Sequence, residues 1–301
     1  MCLKREMGNP EQDHQSGRVK VFFALLSVYF IWGSTYLAIR IGLEGLPPFF
    51  MAGVRFIVAG TMLYLYLRAK GVPNPSRPEL TGASLVGGLL LLGGNGGVCY
   101  AEQWVSSGLA ALVISSTPLW VLLFSSIWGH RPSRIEVIGL ALGLAGVVIL
   151  NMEGDLKANP AGAVALLFAA IFWAFGSAWS RRLSLPPGLM ACAIEMMAGG
   201  ALLFVASASI GEKVNGMPGW RSLSALLYLI VVGSLVGFSS YMYLLGKVRP
   251  ALATSYAYVN PVVAVCLGVG LAGERISGKG LAAMAVIISG VVLVIFGQRK
   301  G

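Results

Sequence analysis

The sequence predicts an all-α integral membrane protein: ten transmembrane helices arranged as two inverted five-helix repeats. Three observations predict it. Apolar runs of spanning length recur along the chain, positive charge alternates between successive loops, and the second half echoes the first. Hydrophobic residues make up 56% of the 301 residues and charged ones 11%, with a mean hydropathy of +0.78. A soluble domain of this size needs far more charge to cover its surface. The 40 glycines follow no Gly-X-Y period and read as places where helices approach closely within a bilayer.

A bilayer core asks for about 20 apolar residues per helix. The runs are 21–42, 49–68, 80–98, 108–128, 134–151, 160–180, 187–209, 223–245, 250–272 and 278–297. The third is interrupted by Gly93-Gly94-Asn95-Gly96-Gly97, and the connections between runs are short and rich in Pro, Gly and charge. The first run is too long for a signal-peptide core and lacks a small-residue cleavage site, so it is expected to stay as a span behind a polar cytoplasmic tail, residues 1–19. With the N-terminus inside, fifteen Lys and Arg fall on cytoplasmic segments and five, Lys157, Lys213, Arg221, Arg275 and Lys279, on external loops. Ten spans with both termini cytoplasmic satisfy the positive-inside rule. One span more or fewer would scramble the alternation.

The two halves, 20–151 and 160–297, share landmarks in the same order. Ala24-Leu25-Leu26, Trp32 and Arg40 are echoed by Ala165-Leu166-Leu167, Trp173 and Arg181. Pro47-Pro48 matches Pro186-Pro187, Gly108-Leu109-Ala110 with Pro118 matches Ala251-Leu252-Ala253 with Pro261, and Gly146-Val147-Val148 matches Gly290-Val291-Val292. A unit with an odd number of spans must begin its second copy from the opposite side of the membrane. The repeats are therefore inverted, an arrangement that secondary transporters use to hold substrate at the midplane.

The chain resembles the drug/metabolite transporter superfamily, specifically its bacterial ten-helix exporters built from two EamA-type repeats. The resemblance spans residues 20–297. It rests on Phe30-Ile31-Trp32-Gly33-Ser34, on Arg55 within Val54-Arg55-Phe56, on Tyr100 through Leu112, on Pro118 and Pro261, and on Gly273-Glu274-Arg275. The first repeat carries Gly129-His130-Arg131 where the second has that Glu, which departs from a symmetric role for Glu274. The resemblance implies export of amino acids, related metabolites or drugs across the bacterial plasma (inner) membrane.

Pro118 and Pro261 lie about ten residues into their spans, and each removes a helical donor and frees the carbonyl four residues earlier, at Ile114 and Ala257. Polar side chains gather before them: Ser115, Ser116 and Thr117 in one half, Thr254, Ser255, Tyr256, Tyr258 and Asn260 in the other. Paired Pro-interrupted spans point to a transporter binding site; the structural alternative is two kinks healed by neighbouring hydroxyls. Trp32 and Trp173 fall near the midplane, where a large ring lines a cavity or fills a packing gap. Asn95, Tyr100, Gln103, Ser177 and Tyr241 are candidate polar partners. Arg55 and Glu195 lie well inside their spans and Glu102 near the end of the third. Intramembrane charge is costly unless paired or wet, so each is either a coupling residue or part of a structural ion pair, and Arg40 is expected to snorkel as an anchor. Gly139 and Gly143, with Ala285 and Ser289, suit packing inside the scaffold better than dimerisation.

These residues lead to a secondary transporter with a small-molecule substrate, a lipid bilayer, a proton as candidate coupling ion, no cofactor, and a monomeric or dimeric state. A passive channel is the main alternative. An intramembrane enzyme lacks its ingredients: His14 and His130 both lie outside the spans, and no Cys spacing suits a metal or redox site. The net charge of +10 is scattered over short loops with no basic stripe, which excludes a nucleic-acid footprint. No phosphate-binding glycine loop sits in a strand–helix setting, which leaves no site for ATP.

Overall fold

The computed structural model describes residues 10–127, 133–151, 159–214, 216–248 and 250–298. Helices are α1 Arg18–Gly42, α2 Pro48–Ala69, α3 Arg77–Ala101, α4 Ser107–Phe124, α6 Pro160–Ser180, α7 Leu189–Ser209 and α8 Trp220–Lys247, with α5 Arg134–Asn151, α9 Tyr256–Ala272 and α10 Gly278–Gln298. Among the described residues there is no strand. The first seven named are each long and apolar enough to cross a membrane, and Val259–Ala272 and Gly278–Gly290 form shorter apolar helices. His130 and residues 1–9 of the N-terminal tail lie outside the described residues.

Local chemistry sets the helix ends. Pro48 and Pro160 open α2 and α6, where a missing N–H costs nothing. Ser76 and Glu79 form a capping box at the start of α3. Gly273, at φ +65°, ends α9 in the left-handed region that a side chain would strain.

Two spans depart from the sequence expectation. The glycine run does not interrupt the third span; the helix runs on to Ala101 and widens to π geometry over Gly88–Gly96. Matching wide turns occupy Leu229–Phe238 in α8 and Val28–Trp32 in α1. The two prolines also differ. α4 breaks between Ile114 and Thr117, immediately before Pro118, whereas the ninth span breaks earlier, between Ala253 and Tyr256, and Pro261 sits inside α9. The hydroxyls explain the first case: Ser115, Ser116 and Thr117 donate to the carbonyls of Leu112, Val113 and Ile114 at 2.6, 2.7 and 2.6 Å. The carbonyl that Pro118 frees is thus satisfied locally, which makes the open turn tolerable in an apolar setting.

Two helix pairs cross through small residues, and their contacts are reciprocal. A Cβ on Gly60 of α2 would lie 2.8 Å from the Met197 nitrogen and 2.9 Å from the Ala193 oxygen of α7. One on Gly200 of α7 would lie 2.8 Å from the Ile57 nitrogen and 3.2 Å from the Gly53 oxygen of α2. Residues 53, 57 and 60 therefore correspond to 193, 197 and 200, a shift of 140 each time. The α5–α10 crossing repeats the pattern. Gly146 faces Ile287 and Ala283, and Gly290 faces Gly143 and Gly139, a shift of 144. Gly139 and Gly143 thus meet α10 of the same chain at backbone distance, which is packing within the scaffold.

Candidate functional site

The three wide helical turns converge on one central cavity of about 60 Å³. π turns inside α-helices commonly mark functional positions, because they displace side chains from the regular register. Here α1 contributes Trp32, Thr35, Tyr36 and Ile39, and α3 contributes Leu91, Gly94, Asn95 and Val98. Both sets follow the i, i+3, i+4, i+7 spacing of a single helix face. α2 adds Arg55 and Phe56, α6 adds Ala169 and Trp173, and Phe238 and Tyr256 complete the far wall with Ile114.

Trp32 stands at the centre. Its ring meets Trp173 edge to face at 5.3 Å, Tyr241 at 4.9 Å and Tyr256 at 5.2 Å. The indole N–H of Trp32 donates to the Gly233 carbonyl at 3.3 Å, inside the wide turn of α8. Trp173 donates to the Tyr241 hydroxyl at 3.2 Å, which also pairs with Ser177 at 2.8 Å. Aromatic rings in such offset and edge-to-face contacts hold one another in place, so the cavity wall is preorganised. Arg55, 3% exposed, donates from Nε to Ser234 at 2.7 Å, lies 4.7 Å over the Phe56 ring, and leaves Nη1 without a partner.

The other expected residues distribute differently. Ser177 and Tyr241 back the cavity without lining it. Ser116 and Thr117 turn into their own helix, and Ser116 additionally accepts from the Trp120 indole at 3.3 Å. Asn260 is buried behind the wall with its carbonyl oxygen unpartnered, and the Tyr258 side chain lies outside the described residues. Tyr100 and Gln103 belong to a separate vestibule of about 530 Å³ beside the C-terminal end of α7, with Trp104, Glu212 and the Leu43–Pro48 loop. There Tyr100 stacks on Phe49 at 5.6 Å and abuts Trp104 at 5.0 Å. A second vestibule of about 390 Å³ adjoins the N-terminal end of α7 and includes Arg181, Cys192, Tyr243 and Lys247. The two vestibules are therefore separated by the length of α7, 21 residues or about 30 Å at 1.5 Å per residue.

Glu102 and Glu195 are both fully buried, with all four carboxylate oxygens unpartnered, and neither lines the cavity. Glu195 is no ion-pair partner of Arg55, whose Nε is held by Ser234. Arg40 does more than snorkel: its guanidinium donates to the Glu102 carbonyl at 2.5 Å. Two glutamates that sequence reasoning did not assign cap helices across the molecule. Glu212 accepts from the backbone N–H of Phe49 and Phe50 at 3.1 and 2.8 Å. Glu274 accepts from the Ser107 and Gly108 N–H at 3.0 and 3.2 Å and from the Ser107 hydroxyl at 2.8 Å. Among the described residues no group of three or more His, Cys, Asp or Glu is placed to hold a metal.

Residues 19–152 and 160–296 each match the EamA-like transporter family. The chain belongs to that family. This EamA-like chain is 49% identical over 279 residues, 92% of its length and 91% of the relative's, to a protein of Escherichia coli K12 named as the uncharacterized inner membrane transporter YedA. It is 26% identical to a probable amino-acid metabolite efflux pump of Salmonella typhimurium, over 92% of this chain and 95% of that one. A solved crystal structure at 24% identity covers 94% of the EamA-like chain and 99% of its own, with a TM-score of 0.68, which speaks to the shared fold.

Proposed function

We propose that this chain is a secondary active transporter of ten spans in two inverted repeats. It exports small metabolites, amino acids or related compounds, or drugs across the bacterial inner membrane by alternating access. The observation that carries this reading is the small central cavity, which shares no lining residue with the vestibule at either end of α7. A channel keeps one continuous path. A central cavity that shares no wall with either vestibule fits alternating access, in which the repeats move against each other.

The reciprocal crossings of α2 with α7 and of α5 with α10 support the twofold, and so do the two separate family matches. Under the charge-based orientation, with both termini cytoplasmic, the α7 C-terminal vestibule faces outward. The Phe49–Tyr100 stack then acts as its aromatic gate. The names of the relatives support the inner membrane and, for one of them, the outward movement of amino-acid metabolites.

Glu102 and Glu195 are the candidate proton carriers, because each is buried with carboxylate oxygens that accept no hydrogen bond, a setting that disfavours the charged form. The test is uptake into proteoliposomes of amino acids and aromatic drugs, with and without an imposed pH gradient. Glu102→Gln, Glu195→Gln and the double variant are compared with the parent. The reading expects at least one variant to keep gradient-free exchange and lose pH-driven accumulation. Accumulation that survives in the double variant removes both carboxylates as carriers. Flux that is indifferent to the gradient and far faster than alternating access favours a facilitator.

A further inference from the structure

Among the described residues, Arg55 is the one charged side chain on the wall of the central cavity. We propose that the ligand taken there is a small carboxylate with an aromatic or apolar body, its carboxylate received by the Arg55 guanidinium. The proposal rests on the reading of this cavity as the transport site, and it narrows the substrate from metabolites and drugs at large to one charge class.

The geometry supports an anion in three ways. Arg55 is buried and carries no carboxylate partner: Nε goes to the Ser234 hydroxyl, Nη1 is unpartnered, and the buried acids Glu102 and Glu195 do not line the cavity. A guanidinium in a membrane interior is retained only where something pairs or hydrates it, and Arg55 lines the cavity. Ser234 then fixes the plane of the fork, which suits a carboxylate accepting two parallel hydrogen bonds. Finally, Gly233 lies alongside; a Cβ there would sit 3.0 Å from Nη2, so the absence of a side chain keeps that edge of the fork clear.

The rest of the wall sets the body of the ligand. Trp32, Tyr36, Phe56, Trp173, Phe238 and Tyr256 surround the space, and their rings favour an aromatic or apolar group. A simple organic cation finds rings that could attract it. It also meets the fixed positive charge of Arg55 with no acid on the wall to offset it, so the cavity discriminates against it.

The test uses the full chain in detergent and three probes with the same phenylethyl body: 3-phenylpropionate, 3-phenylpropionamide and phenethylamine. Radiolabelled 3-phenylpropionate is measured by equilibrium dialysis and displaced by each unlabelled probe. The anion should bind on the order of 10–100-fold more tightly than the amide, the range expected for a charge-assisted hydrogen-bonded pair, and the amine should bind most weakly. Arg55→Lys should keep part of this preference, and Arg55→Gln should bring the anion down to the level of the amide. Equal binding of all three, preference for the amine, no anion binding into the millimolar range, or an anion preference that survives in Arg55→Gln would each overturn the proposal. Should Arg55→Gln fail to fold, the probe series on the unaltered chain decides alone, and Gly233→Ala, which crowds the fork while keeping its charge, should weaken the anion selectively. An anion that binds through Arg55 but is not carried into proteoliposomes rejects the transporter reading and leaves this assignment standing.

Discussion

The α2–α7 crossing makes a quantitative demand on two glycines. In Gly200→Ala the new Cβ would stand 2.8 Å from the Ile57 nitrogen and 3.2 Å from the Gly53 oxygen. Ordinary contact begins near 3.4 Å, and both neighbours are helix backbone, which cannot rotate away as a side chain end can. The whole of α7 must therefore retreat from α2, losing contact along the crossing. Overpacking of this kind costs about 1–3 kcal/mol. The reciprocity of the crossing requires Gly60→Ala to behave alike, since its Cβ would meet Met197 and Ala193 backbone at 2.8 and 2.9 Å. Gly246 is the internal control: it is helical with nothing within 4 Å, so Gly246→Ala should be neutral or stabilise by about 0.4–1 kcal/mol through the unfolded chain. Reversible SDS titration of the three variants in one mixed-micelle system gives the comparison. Gly200→Ala as stable as Gly246→Ala, or a loss of more than about 2 kcal/mol at one crossing glycine with none at the other, would refute the reciprocal backbone contact, given the usual spread of such costs.

Three further outcomes are expected. Pro118→Ala restores a donor to a turn whose hydroxyls already occupy the Leu112, Val113 and Ile114 carbonyls, so α4 should straighten and initial flux should fall about tenfold or more, roughly 1.4 kcal/mol in the rate-limiting step. Pro261→Ala, within an intact helix, should cost less, and equal rates for Pro118→Ala and the parent would dismiss the open turn as a working part. Glu274→Ala removes the acceptor for two N–H groups and a hydroxyl at the head of α4 and should destabilise by about 2 kcal/mol, read by the same SDS titration, with Glu274→Gln recovering roughly half. Reporter fusions after Gly71 and Arg182 should be cytoplasmic and a fusion after Leu46 external; Leu46 and Gly71 on one side would end the ten-span arrangement.

Five of the fifteen residues on the central wall were legible before any coordinates. Trp32 and Trp173 stand out as large rings far from the membrane interface, and Asn95, Tyr256 and Arg55 as polar groups inside apolar runs. Thr35, Tyr36 and Ile39 carried a signal that could have been used, because they sit three, four and seven residues after Trp32 and so share its helix face. Ser116 and Thr117 mislead for a physical reason. A hydroxyl beside a broken turn satisfies either a ligand or its own freed carbonyl, and the residue type is the same in both cases. Tyr100 lies in the last turn of α3 and Gln103 on the α3–α4 connection, so both fall to the vestibule, past the end of the face that carries Asn95 and Val98.

The sequence by itself determined the membrane class, the helical runs and the family, because each depends on composition, length and local order along the chain. The partners of the key polar groups were decided by tertiary structure alone. Arg55 meets Ser234 from 179 residues away, Glu274 caps α4 from 167 away, and Glu212 caps α2 from 163 away. No local rule fixes such pairs, since a buried donor bonds to whichever acceptor the packing brings within reach. Packing in turn follows from where glycines let two backbones close on each other, at Gly60 and Gly200 and again at Gly146 and Gly290. That is why the chemistry of the cavity became readable only once the helices had been set side by side.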